Sequence, residues 1–386
     1  MKRIYSIDCT RGFVMIIMAL DHVRDMMHVN SITQSPTNLS TTTPVLFFTR
    51  WITYLCAPIF VFLAGTSAYI SLKKNNTILL SRNFLLKRGL YLILLEFMVV
   101  NFALFFDFGF HTFIFEVIAT IGFGFIILGL LLKLPLKIIG FIGLLIIFCH
   151  NLFAFIPFEK NSILQTILSP FFLPGASPIS HSVFIMGYPP IPWLGIMLIG
   201  FASGKFFELP DEKRKSLFLK IGLSALVLFI IIRFINIYGD SVNWSFQKDA
   251  VFTFLSFMNV TKYPPSLLFC LITLGTMFLI LAFTEKSKNK FIKILSVYGK
   301  VPLFYFLVHF FFIHFIMLAV ILLQGFHWSQ LDFASGTFGR PKGIESGLPL
   351  WAIYLVWIVV VLILYKPCVW FGKYKTEHKE LWLKYL

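Results

Sequence analysis

Charge is scarce in this chain. Asp, Glu, Lys and Arg supply 13% of its 386 residues, and only 17 side chains are acidic; a soluble domain carries about 25% charged residues. Hydrophobic side chains fill the gap at 58%, with 48 phenylalanines among the aromatics, which excludes an ordinary soluble fold and leaves a polytopic membrane protein. Cysteine is sparse as well. Cys9, Cys56, Cys149, Cys270 and Cys368 stand singly in or beside apolar runs, with no CxxC pair, so they read as packing residues rather than a disulfide or metal framework. The histidines form no HxxxH spacing, and no metal is expected. A Gly-x-Ser-x-Gly elbow is missing, which sets aside Ser-His-Asp hydrolysis. Glycine-rich phosphate loops, fixed-period repeats and low-complexity tracts are missing too. The longest polar interruptions, near 28 to 45, 158 to 189, 238 to 262 and 324 to 348, are too short for a separate soluble domain, so residues 1–386 read as one transmembrane domain.

What is present is a series of apolar runs, each near the length of about 20 residues needed to cross about 30 Å of hydrocarbon. About ten transmembrane helices are expected, at about 9 to 28, 46 to 71, 85 to 106, 111 to 132, 136 to 157, 190 to 207, 216 to 237, 264 to 284, 300 to 323 and 349 to 366. The fold class is therefore an all-α helical membrane bundle. A net charge of +16 invites a nucleic-acid reading, but the charges follow the membrane instead. With the amino terminus in the cytoplasm, 24 of the 33 Lys and Arg fall on that side: Lys2 and Arg3, then those in 73–88, 133–137, 205–220, 286–300 and 366–384. The outer loops hold Lys160, Arg233, Lys248, Lys262, Arg340 and Lys342. That bias predicts both termini in the cytoplasm. The basic groups could also meet anionic lipid headgroups. The Met1-Lys2-Arg3 start imitates a signal peptide, but Asp8 and Arg11 interrupt it and Asp21-His22 replace a small-residue cleavage site, so it reads as a retained first helix.

The chemistry concentrates on that helix. Arg11 and His22 are eleven steps apart, about three turns and roughly 16 Å, so they share one face at two depths. Charge within a spanning helix costs about 2.5 to 3.5 kcal/mol on insertion scales and is a functional hypothesis by default. His22 suits a general base near neutral pH. Asp25 at i+3 is close enough to orient it, and Asp21 can pair with Arg24. The plainer alternative has Arg11 snorkelling to the inner headgroups and His22 to Asp25 forming the outer helix end. Arg50, Trp51 and Tyr54 open the second helix, as an interfacial belt or a substrate platform. Glu96, Asn101 and Glu116 should face inward. His309 and His314 read as core groups, with Tyr305 one turn before His309. Tyr188-Pro189-Pro190-Ile191-Pro192-Trp193 should block helix until about Trp193 and fold over the outer mouth. Lys262-Tyr263-Pro264-Pro265-Ser266 should open the eighth helix at that face. Gly200 and Gly204 suggest close helix packing.

The Arg11-x10-His22 pattern on the first of about ten helices resembles the motif of the transmembrane acyltransferase superfamily. The chain further resembles its DUF1624 family, bacterial relatives of heparan-alpha-glucosaminide N-acetyltransferase. The resemblance rests on Ser6-Ile7-Asp8-Cys9-Thr10-Arg11-Gly12, Asp21-His22, Arg50-Trp51-Ile52-Thr53, Cys56-Ala57-Pro58-Ile59-Phe60 through Gly65, the Tyr188 to Gly200 segment, Lys262 to Phe269, and Gly299-Lys300-Val301-Pro302-Leu303-Phe304. It spans nearly the whole chain.

The resemblance implies an enzyme of a bacterial cytoplasmic membrane that moves an acyl group, most simply acetyl, from cytoplasmic acyl-CoA to an extracytoplasmic sugar or glycan by N- or O-acylation. It implies catalytic roles for His22, Asp25 and Asp21, acetyl-CoA contacts at Arg11, Asp8 and Arg50, and substrate contacts at Trp51, Tyr54, Tyr188, Trp193 and Tyr263. Acetyl-CoA enters as donor substrate, and membrane lipid is the surrounding partner. Association with a second copy stays open. The family's lysosomal member has asparagine at the position of His22 and its catalytic histidine just before the second helix, near Pro44 here. No histidine lies between Asn30 and Arg50 in this chain, so His22 or His28 must serve, and the superfamily spacing favours His22. A small-solute transporter or flippase using the same polar groups is the alternative; it predicts inverted repeats with broken helices, which the sequence lacks.

Overall fold

The computed structural model describes residues 4–75, 77–158, 162–285 and 289–385; Lys2, Arg3, Lys160, Lys286 and Lys288, counted above, lie outside the described residues. The chain is an all-α membrane bundle with one small sheet. Its helices are α1 (Tyr5–Met27), α2 (Pro44–Thr53), α3 (Cys56–Asn75), α4 (Ile78–Leu95), α5 (Asn101–Phe105), α6 (Val117–Leu131), α7 (Leu136–Cys149) and α8 (Ile163–Phe172). They continue with α9 (Pro190–Ser203), α10 (Asp211–Ile235), α11 (Ala250–Met258), α12 (Leu267–Thr284), α13 (Lys290–Lys300), α14 (Pro302–Leu323) and α15 (Leu350–Glu377). Among the described residues, eight stretches are long and apolar enough to cross a membrane: Pro44–Asn75, Ile78–Phe105, Leu136–Phe155, Pro190–Glu208, Asp211–Ile235, Leu267–Thr284, Pro302–Leu323 and Leu350–Glu377. Helix α1 carries the charges already described, and α6 is a shorter apolar helix. Helices prevail because hydrocarbon offers no partner to a backbone amide, and a helix satisfies its own.

Helix α1 is the axis of the bundle, packed against α2, α3, α12, α13, α14 and α15, and Val14, Ala19 and Val23 have no exposed surface. Glycines set the closest crossings. A β-carbon on Gly12 would collide with the Leu295 carbonyl and one on Gly299 with the Asp8 carbonyl, so α1 and α13 touch backbone to backbone. Gly65 and Gly200 do the same for α3 and α9, against Met197 and Phe62. This brings Lys300, at the end of α13, beside the Arg11 level of α1.

Several expected boundaries move. Residues at the start of the span expected from 111 form a strand, β1 (Thr112–Phe115), and residues 158 to 189, expected as loop, hold α8, β2 (Gly175–Ile179) and β3 (Ser182–Met186). The sheet order is β1-β3-β2, with β1 parallel to β3 (Thr112 opposite Val183) and β2 antiparallel to β3. Asn101 fastens β1, its amide donating to the Ile114 carbonyl and its oxygen accepting the Ile114 N–H. Helix α9 starts at Pro190, three residues earlier than the prolines predict, because a helix's first turn needs no N–H from Pro190 or Pro192. Helix α15 runs on through Pro367 to Glu377, eleven residues past the expected end, since one proline removes one donor without ending the ladder. The expected loop after α12 contains α13. Ser266 opens α12 as its cap, accepting the Phe269 N–H at 3.0 Å.

Candidate active site

The Met27 end of α1 faces a cavity of about 680 Å³, within the usual range for a ligand site. His22, Asp21, Asp25, Arg50, Glu116, Tyr188, Lys262 and Tyr263 line it, and β1 and β3 roof it through Thr112, Ile114, Val183 and Ile185. At the Tyr5 end lies a smaller cavity of about 270 Å³, walled by Ile118, Ile121, Phe125 and Leu303 and lined by the cations Arg11, Arg88, Lys300 and Lys375. Phe60, Val117 and Phe306 line both cavities and stand between them. Arg11 donates to the Leu63 carbonyl at 2.9 Å and to the Ser67 hydroxyl, which fixes its guanidinium against α3.

His22 does not meet either aspartate. Its Nδ1 lies 2.7 Å from Nε2 of His309 on α14, and its ring stacks on Phe310 at 4.3 Å. His309 is wholly buried, and its own Nδ1 lies 3.0 Å from the Tyr305 carbonyl. A carbonyl only accepts, so Nδ1 of His309 carries a proton, its Nε2 is the acceptor, and Nδ1 of His22 donates to it. In the neutral pair this leaves Nε2 of His22 unprotonated, the form a general base needs.

The aspartates serve two arginines. Asp21 accepts from Arg24 at 2.8 Å and from Arg50 at 2.5 Å, while Asp25 lies 2.7 Å from Arg24 and 4.0 Å from Arg50. Both carboxylates are thus held on guanidinium groups, and the side chain in hydrogen-bond contact with the His22 ring is His309 rather than Asp25. Tyr188 and Tyr263 meet through their hydroxyls at 3.3 Å. Burial, then the neighbouring Tyr263, push the Tyr188 phenol above its ordinary range, keeping it neutral as it accepts from the Tyr263 hydroxyl. Tyr54 lines a neighbouring cavity with Arg50 and Tyr263. Trp51 points away, donating to the Met258 carbonyl at 3.0 Å, and Trp193 is fully buried behind Tyr188. Asp8 is buried on α1 where Gly299 crosses, and neither it nor Trp51 or Trp193 lines a cavity described here. His28, the other candidate base, is buried where its carbonyl accepts from Arg340 at 2.9 Å. Among the described residues no group of three or more His, Cys, Asp or Glu could hold a metal.

Residues 3–232, more than half of the chain, match the family described as heparan-alpha-glucosaminide N-acetyltransferase, catalytic. The chain belongs to this family of membrane acetyltransferases. No curated protein matches it. The matched segment of this acetyltransferase-family chain holds Arg11, His22, Arg50, Glu116 and Tyr188; Lys262, Tyr263 and His309 lie beyond it. His309 and Lys262 are also the groups that sequence reasoning did not single out as functional. His309 stands one turn after Tyr305, a visible spacing, but its partner lies 287 residues away and nothing local announces it.

Proposed function

We propose that this acetyltransferase-family protein carries an acyl group, most simply acetyl, across a bacterial cytoplasmic membrane from acyl-CoA to an amine or hydroxyl of a sugar. The charge bias of the sequence supports a cytoplasmic Tyr5 end. The basic cavity there suits the donor: four cations answer its phosphates, and the apolar wall suits the pantetheine arm. The large cavity suits the acceptor.

The observation that carries the reading is the pair of histidines wired to the Tyr305 carbonyl at the floor of the large cavity. Nε2 of His22 takes the proton from the acceptor as its nitrogen or oxygen attacks the thioester carbonyl. The C–S bond breaks, the acyl group forms an amide or ester, and the CoA thiolate takes up the proton His22 returns. Positioned proton transfer of this kind is worth about 10² to 10⁴ in rate. The acyl end of the donor must reach past Phe60, Val117 and Phe306, so these side chains act as the sleeve through which pantetheine passes. Asp21, Arg24, Arg50 and Asp25 keep the upper part of α1 rigid around His22.

The test uses purified protein in nanodiscs with radiolabelled acetyl-CoA and a panel of amino sugars. Label should pass to sugar in the parent and fail in His22→Ala. Transport of an unmodified solute with no CoA released would instead establish a carrier and end the enzymatic reading.

A further inference from the structure

Among the described residues, Lys262 is the one cation lining the large cavity to which acyl transfer gives no part. It is only 6% exposed, yet its ammonium makes no hydrogen bond and no ion pair among the described residues. Its neighbours are aromatic faces, with Nζ 5.0 Å from the Tyr263 ring, 5.8 Å from Tyr188 and 6.0 Å from Tyr54. Rings ease the burial of a cation but accept none of its three N–H donors in the way an oxygen does. Such a group is expensive to maintain without a partner.

Its position says where the partner would sit. Lys262 lines both the large cavity and a second one of about 370 Å³ beside it. Arg50, Asp25 and Tyr263 line both as well, so these four side chains form the wall between the two spaces. The second cavity is also lined by Arg24, Thr37, Asn259 and Thr261. Its one carboxylate, Asp25, is already on Arg24 at 2.7 Å. Glu116 lines the large cavity but not the second one; it feels the Lys262 charge, yet among the described residues no carboxylate lies within ion-pair distance of that ammonium. Arg50 gives Nη1 to Asp21 and keeps further donors on a guanidinium that borders both cavities. The second cavity is thus positive, lined by hydroxyl and amide groups, and continuous with the wall of the first.

We propose that Lys262, with Arg50, binds an anionic oxygen group of the acceptor, a carboxylate, sulfate or phosphate, in the second cavity while the group to be acylated lies at His22. The inference rests on the reading of the large cavity as the acceptor site. It makes the acceptor an acidic sugar or phosphosugar rather than a neutral one, and it gives Lys262 a role in selecting substrate.

Binding measured without donor tests this, in nanodiscs of phosphatidylcholine, with glucosamine, glucosamine 6-phosphate and inorganic phosphate as probes. The parent should bind glucosamine 6-phosphate about tenfold or more tighter than glucosamine, the scale of one charge-assisted contact. Lys262→Gln should bring the two sugars within about twofold and abolish phosphate binding. Lys262→Arg, with an unchanged unfolding temperature, should keep the preference and so separate charge from folding. A parent without the preference, or a Lys262→Gln variant that keeps it, overturns the proposal. Loss of the preference in phosphatidylglycerol nanodiscs would give the subsite to a lipid phosphate and overturn it as well. If phosphate binding depends on Lys262 but no acceptor is acetylated, the anion subsite stands and the acyl-transfer reading fails.

Discussion

At the Met27 end, buried arginines are spent on the protein itself. Arg233 gives four hydrogen bonds of 2.8 to 2.9 Å to the carbonyls of Phe257, Val242, Ser256 and Asn259, and Arg24 and Arg50 share Asp21 and Asp25. At the Tyr5 end, Arg11, itself donating to the Leu63 carbonyl, still borders one apolar-walled space together with Arg88, Lys300 and Lys375. Arginines locked on carbonyls order loops; cations gathered around a cavity meet something that arrives. Lys262 is the exception at the Met27 end, and among the described residues the half-buried His22 and the buried His309 are the only two imidazoles in contact.

The largest effect should come from that junction. His22→Ala should lower acetyl transfer about 10² to 10⁴-fold in steady-state assays with labelled acetyl-CoA. His309→Leu should approach the same loss, because Nδ1 of His22 then has no acceptor and the ring can take the wrong tautomer. His309→Gln offers a carbonyl oxygen in place of Nε2 and should recover a large part of the rate. Recovery by glutamine separates tautomer control from simple packing. Nitrogen chemical shifts of labelled histidine report the tautomer directly, and a proton on Nε2 of His22 in the parent would break the scheme.

Smaller effects should divide by end. Arg11→Ala and Lys300→Ala should each raise KM for acetyl-CoA about tenfold, on the scale of one lost charge-assisted contact, with little change in KM for the sugar. An equal rise for donor and acceptor would erase the division of labour between the cavities. Phe306→Leu, which trims the side chain standing between them, should raise hydrolysis of acetyl-CoA in the absence of sugar severalfold. Water then reaches the thioester along a looser sleeve.

The residues that let the sequence be read were those whose physics is local. A run of apolar side chains must become a helix in lipid whatever its neighbours do, so most spans lie within a few residues of their expected ends. The Arg11 and His22 face was legible for the same reason, since eleven steps fix an angle on any helix. The pairing of β1 with β3 was not, because Thr112 and Val183 are 71 positions apart and phenylalanine-rich segments read alike as strand or helix. Nor was the partner of His22. Asp25 at i+3 was the nearest visible candidate, and it went to Arg24 because a carboxylate gains more from a guanidinium than from a neutral imidazole. Lys262 was read as an outer charge and as the opening of the eighth helix, not as a group of the site. Its isolation among tyrosines depends on three segments that meet only in the fold.

The smallest expected effect concerns Arg340, in the loop between α14 and α15. Its guanidinium donates to the carbonyls of His28 and Val29 at 2.9 and 3.2 Å, to the hydroxyls of Ser31 and Ser346 at 2.9 and 3.2 Å, and to the Ser346 carbonyl. It ties the exit of α1 to the return into α15, and burial alone lowers its hold on its proton. Arg340→Met strands several carbonyls at a cost of about 1 to 3 kcal/mol. Hydrogen exchange should quicken at residues 28–31 and 340–348, with donor affinity unchanged. In the same loop Ser335 donates to Asp332 and holds its carboxyl below the ordinary range. A depressed carboxyl stabilises above its unfolded value and loses that contribution only as pH falls through the lower folded one. The protection factor of amides near residues 332–335, which is exchange corrected for its intrinsic base-catalysed rate, should therefore stay level from about pH 8 to about pH 5 and fall only below that, whereas a fall near neutrality would show that a different group holds the loop.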